Sequence, residues 1–244
     1  MTDTKQLEYR YSFFRENSEI STLNHRSDNT HIISEELSDI IRLALFYTHI
    51  TQGAFDIALA GTLKAASKAL SLTKYQQIKD SLSPFASSTH LSLEGNCLTF
   101  SNDLTKIDLG GIVKEYAVDQ AILQLQSVDI QSALINYGGD IAAYGRCHDL
   151  PWRVGIENPA SPESNLLEVE LNNNSVCTSG HSKRFVSIEN EKITHIISSS
   201  TTPHFYNQVS VMAPTTLDAG IWSTALLINP HLIIPPHIHV LNTI

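Results

Sequence analysis

Three helical patterns interleave with runs of strand-like segments, and hairpin-like neighbours outnumber βαβ units. Together these predict an α+β fold of largely antiparallel sheets with flanking helices. Turn residues are spread evenly, with no internal repeat, low-complexity tract or Gly/Ser linker, so a single domain over residues 1–244 is expected.

In chain order, Ser34 precedes Glu35 and Glu36, acids that suit the positive end of a helix, and Leu37, Ile40, Ile41, Ala44 and Thr48 recur at helical spacing. A helix to about His49 follows. A second is predicted after Asp108-Leu109-Gly110-Gly111, with Val113, Ala117, Ala121 and Leu125 on one face, and a third over residues 218–227. Alternation or β-branched content predicts strands at residues 133–137, 152–156, 166–171, 185–188, 194–197 and 209–212. Residues 219–244 contain no Asp, Glu, Lys or Arg. Pro230, Pro235, Pro236 and three histidines interrupt them, so the expectation is a buried helix and an irregular tail, with no transmembrane segment.

Lys and Arg number 16 against 25 Asp and Glu, a formal charge of −9, and no basic cluster offsets it, which argues against nucleic-acid binding. Cys97, Cys147 and Cys177 lie far apart without CxxC spacing, so buried thiols are expected rather than a disulfide framework or a structural zinc site. The first nineteen residues carry both signs of charge and no apolar stretch, so the chain as written is expected in the cytoplasm.

Several segments have the chemistry of sites, each with a plainer structural reading. Thr51-Gln52-Gly53-Ala54-Phe55-Asp56 is either a helix C-cap followed by an Asp-led turn or a nucleotide contact. Ile107-Asp108-Leu109-Gly110-Gly111-Ile112-Val113-Lys114 is a strand end, a tight turn and a helix start. Such a junction aims amide N–H groups and the positive helix end at an anion such as a pyrophosphate, and Lys114 adds a point charge, although the spacing is not GxGxxG. Asn136-Tyr137-Gly138-Gly139-Asp140 suits a hairpin or a close backbone approach to a ligand. Cys177-Thr178-Ser179-Gly180-His181 groups hydroxyls with Gly and His but has no GxSxG elbow. His195 is a general base or a satisfied strand histidine. His237-Ile238-His239 lacks a third metal ligand at a readable spacing.

Their order is more telling than any one of them. The succession NSEISTLN, TQGAFD, IDLGGIVKEYAVD, INYGGDIAAYG, PWRVGIENP, VCTSGHSKRF, THII and APTTLDAGIWSTAL resembles the ApbE family, the FAD:protein FMN transferases, from about Tyr11 to Leu227. The resemblance implies one α+β unit of two related halves with FAD in the cleft between them. It also implies magnesium-dependent transfer of FMN from FAD to a Thr or Ser hydroxyl of an acceptor flavoprotein, with AMP leaving. By position, Ala54, Phe55, Asp56, Asp108, Lys114, Thr178, Ser179 and Gly180 match cofactor contacts, His195 the catalytic base, and the Gly111 carbonyl and Thr224 the metal site.

Four departures accompany the match. Gly220 stands where the family has a metal-binding Asp, which predicts a weakened Mg2+ site, because a hard cation wants anionic oxygen. Asp218, two positions away, is about 200° around the helix and is expected to point elsewhere. The loop after His195 lacks the family's Asp and Gly, Glu115 replaces a Gly beside Lys114, and a Gly-Thr-Tyr strand is missing before the first helix. An inactive relative that binds only FAD or a protein partner is the alternative, and Gly220→Asp is expected to raise magnesium-dependent turnover.

Overall fold

The structure, a computed structural model, describes residues 4–181, 185–189, 191–194 and 206–244. Its elements in chain order are α1 (Thr4–Tyr11), α2 (Glu19–Asn24), β1 (Thr30–Ile32), α3 (Glu35–Ile50), α4 (Ile57–Leu63), α5 (Leu72–Leu82), β2 (Leu91–Glu94), β3 (Cys97–Phe100) and α6 (Val113–Ser127). There follow β4 (Ala133–Tyr137), β5 (Asp140–Tyr144), β6 (Trp152–Asn158), β7 (Ser161–Leu171), β8 (Asn174–Gly180), β9 (Phe185–Ile188), β10 (Glu191–Thr194), β11 (Gln208–Ala213), α7 (Thr216–Ile228) and β12 (His239–Thr243). Every pairing between these strands is antiparallel, as expected for the α+β class.

Contacts divide the described residues into an N-terminal unit, within 4–113 and 183–203, and a C-terminal unit, within 114–182 and 204–244. The N-terminal unit holds α1 to α5, a three-stranded sheet in the order β1-β3-β2 and the β9–β10 hairpin. Helix α3 starts where the sequence predicts: the Ser34 hydroxyl accepts from the Leu37 amide at 3.3 Å, and Glu35 and Glu36 occupy the first turn. Its Leu37, Ile40, Ile41 and Ala44 are fully buried, as the spacing requires. Short α2 is capped by Ser18, and its last residue, Asn24, pairs like a strand with Ile107. Its Nδ2 donates to the Ile107 carbonyl and its Oδ1 accepts from the Ile107 amide, both at 2.8 Å.

In the C-terminal unit a five-stranded sheet runs β12-β11-β8-β5-β4, and β6 pairs with β7 as a separate hairpin. Helix α7 packs on β8 and β11, with Trp222 fully buried. Its start is capped twice. Thr215 Oγ1 accepts from the Asp218 amide at 3.0 Å, and Asp119 on α6 takes the amides of Thr216 and Leu217 at 2.8 and 2.9 Å.

Two expectations are corrected. The tail is not irregular to its end: β12 pairs with β11 from Val209↔Thr243 to Met212↔His239, with a bulge at Ser210/Val211. The edge of β11 offers backbone groups that this segment satisfies. Of the three cysteines only Cys177 is buried, while Cys97 and Cys147 are partly exposed. The strand expected at residues 194–197 is seen only at Thr194, the end of β10, since residues 195–197 lie outside those described.

Candidate active site

In the N-terminal unit the turn after α3 closes with the Gly53 amide donating to the Thr48 carbonyl at 2.8 Å. Ala54 and Phe55 beyond it are buried. Asp56 caps α4: Oδ1 accepts from the amides of Ala58 and Leu59 at 2.7 and 3.1 Å, Oδ2 accepts from the Ser88 amide at 2.9 Å, and the Ser88 hydroxyl donates to Oδ1. Its carboxylate is thus committed to protein donors, the plainer of the two readings. Asp108 Oδ2 pairs with Lys64, and its Oδ1 accepts from the Gly110 amide at 3.0 Å. That Asx turn leaves Gly110 and Gly111 exposed between the buried Leu109 and Ile112.

The C-terminal unit brings more of the candidates together. Gly138 and Gly139, at φ 65° and 99°, form the β4–β5 turn that only glycine enters without strain, and Asp140 opens β5 at 3% exposure. Lys114, in the first turn of α6, forms an ion pair with Asp140. Burial pulls the lysine down, but Glu115 and Asp140 outweigh it and its pKa is raised. Glu115 is 6% exposed, and its Oε2 finds no hydrogen-bond partner among the described residues. Burial and the Asp140 charge push its carboxyl up to about 8, against the pull of Lys114. The same pair reaches the Cys177 thiol on β8, which burial and then Asp140 and Glu115 push well up.

Cys177 leads into the Thr178-Ser179-Gly180 segment. Ser179 Oγ lies 2.9 Å from Thr224 Oγ1 and 2.8 Å from Ser223 Oγ, and Thr178 Oγ1 lies 2.9 Å from Ser210 Oγ. A seam of hydroxyls therefore ties β8 to α7 and β11. Asp218 is turned away as expected, its Oδ2 accepting from the Thr215 hydroxyl at 2.9 Å.

At Gly220 the structure departs from the sequence-based expectation. A Cβ there would collide with Glu115 Cγ and lie 3.0 and 3.1 Å from Glu115 Oε1 and Cδ. Gly220→Asp alone has no room, so the expected gain in turnover is replaced by an expected loss of stability. From the sequence Glu115 is noted only as replacing a Gly beside Lys114, and the parts played by Asp119, Asp140 and Asn24 are missed. The available signal was that a larger residue at 115 and a smaller one at 220 both depart from one family pattern.

His195 lies outside the described residues. Among the described residues no three His, Cys, Asp or Glu side chains form a ready metal cluster, and no helix is long and apolar enough to cross a membrane. Magnesium commonly takes one or two carboxylates with substrate phosphates and water. The orphaned, buried Glu115 oxygen and the Thr224 hydroxyl are donors of that hard kind, so the residues present fit the ion.

The family model of ApbE matches residues 1–232. The chain belongs to the ApbE family. The FAD:protein FMN transferase of Vibrio cholerae is 25% identical over 229 residues, covering 89% of this chain and 68% of that protein. The enzyme of the same name from Escherichia coli K12 is 26% identical over 210 residues, covering 80% and 60%. The chain thus spans roughly two thirds of the length of these ApbE relatives. The fold matches the ApbE protein of Thermotoga maritima at a TM-score of 0.82 and 24% identity, covering 92% of this chain and 75% of that one. It also matches the flavin transferase ApbE of Vibrio cholerae at 0.78 and 23%, covering 93% and 77%.

Proposed function

We propose that this ApbE protein is an FAD:protein FMN transferase: FAD is cleaved at its pyrophosphate, FMN is joined through phosphate to a Thr or Ser hydroxyl of an acceptor flavoprotein, and AMP leaves. The observation that carries the reading is the joined Thr178–Gly180 segment and Thr224, fixed by the 2.9 Å contact of Ser179 with Thr224 in the unit where Lys114 supplies a half-buried cation. Lys114 at the start of α6 suits a phosphate, because the helix end and the ammonium both favour negative charge. The Gly110–Gly111 turn offers unencumbered backbone, and Phe55 an aromatic wall beside it, 3.4 Å from where a Gly111 Cβ would sit. His195 is the proposed base for the acceptor hydroxyl. Thr224 is proposed to hold Mg2+, which when bound would neutralise charge on the pyrophosphate oxygens.

A second reading, a relative that holds FAD or a partner without turnover, is favoured by Gly220, which supplies no side-chain oxygen. Titrating the protein with FAD, with and without Mg2+, while following flavin fluorescence and released AMP separates the two. Magnesium-dependent AMP release supports the transferase, binding without release supports the second reading, and no binding removes both flavin-binding readings.

A further inference from the structure

We propose that Glu115 of α6 is the anionic ligand of a divalent-cation site on the face of α7 that carries Gly220 and Thr224. The inference deepens the transferase reading and rests on it for the phosphate oxygens that complete the ion's shell.

The geometry begins with the missing side chain. Gly220 lies in the buried part of α7, and the volume its Cβ would take is filled by Glu115, whose Cγ, Cδ and Oε1 crowd that point. The carboxyl of α6 therefore lies where a carboxyl carried by residue 220 would begin. Thr224 is one turn further along the same helix face, since residues four apart are neighbours about 5–6 Å apart. Its Oγ1 is held at 2.9 Å by Ser179, whose Oγ also meets Ser223, and a hydroxyl so placed keeps a lone pair for a cation.

Charge and hydrogen bonding point the same way. Asp140 is matched by Lys114, but Glu115 adds a second carboxylate to the same pocket and has no cation of its own among the described residues. Its Oε2 is buried and orphaned. A buried polar atom without a partner is costly, so it persists where a proton, a cation or a ligand completes it. A plug that merely fills the notch over Gly220 would serve equally well with a methylene or an amide at its end. A ligand would not.

The test is Mn2+ binding to the full chain, followed by electron paramagnetic resonance with and without FAD, beside FAD affinity measured by fluorescence in the absence of metal. Glu115→Gln keeps the shape but cannot give up a proton to a cation and become anionic, so it is expected to weaken Mn2+ binding about tenfold or more without weakening metal-free FAD binding. The exchange Glu115→Gly with Gly220→Asp, which moves the carboxylate to α7, is expected to recover most of the loss. Equal Mn2+ affinity in wild type and Glu115→Gln overturns the proposal. FAD binding without Mn2+ binding in the wild type overturns it too, while the flavin part of the functional reading stands. Glu115-dependent Mn2+ binding without FAD binding upholds the site and removes the flavin reading.

Discussion

In the N-terminal unit Asp56 gives its oxygens to the amides of Ala58, Leu59 and Ser88 and to the Ser88 hydroxyl, and Asp108 gives its own to Lys64 and the Gly110 amide. In the C-terminal unit Glu115 keeps a buried oxygen with no donor among the described residues, and two carboxylates share the one ammonium of Lys114. The two sets are alike in residue type and in their place beside Gly-rich turns, yet they divide by saturation. A carboxylate whose lone pairs are all taken by the chain holds the backbone in shape. One left short of donors in a buried place has an oxygen open to a proton, a cation or a ligand.

The largest expected effect is on pH dependence. The folded protein holds the Glu115 proton up to about pH 8, against an ordinary value of 4.5. Folding therefore binds a proton in that window. The contribution is fully present below pH 4.5 and is lost as pH rises through about 8. Urea unfolding followed across that range should show the wild type losing stability relative to Glu115→Gln. A difference independent of pH would place Glu115 among the saturated carboxylates. Next in size, Gly220→Asp alone should cost about 3 kcal/mol, through overlap with Glu115 and a further buried carboxyl. Adding Glu115→Gly should return most of it, read by the fluorescence of Trp152 and Trp222.

Asp56→Ala should cost about 2 kcal/mol, because it strips the α4 cap and leaves buried donors unmet. Its effect on metal-free FAD affinity relative to that on stability reports whether the residue also touches ligand. Asp119→Ala, which uncaps α7 at Thr216 and Leu217, should cost about 1–2 kcal/mol and lower the melting temperature, with no change in the pH profile assigned to Glu115.

The long elements were legible because their signals are local. Helix α3 has its serine cap, acidic first turn and apolar stripe in one window, and β4 was placed residue for residue by alternation. Short α2 and α4 carry too few turns for periodicity, and their stability comes from the Ser18 and Asp56 caps and from the Asn24 pairing with Ile107. The β12 strand was hidden by prolines and by the fact that its partner, β11, is about thirty residues away. At the site, the motifs marked which segments matter, but not how each side chain is used. That Asp56 is consumed by Ser88, 32 residues on, and that Glu115 fills the gap at Gly220 are tertiary facts. Read singly, Glu115 and Gly220 each look like damage, and only their contact makes them complementary.

The most direct test of the account incubates the protein with FAD, Mg2+ and an acceptor flavoprotein, and weighs the acceptor by mass spectrometry. The account predicts a mass gain of one FMN on a Thr or Ser, matched by released AMP and strongly reduced in Glu115→Gln. An unmodified acceptor with no AMP, from a protein that binds FAD tightly, would contradict it and leave a flavin-holding member of the family.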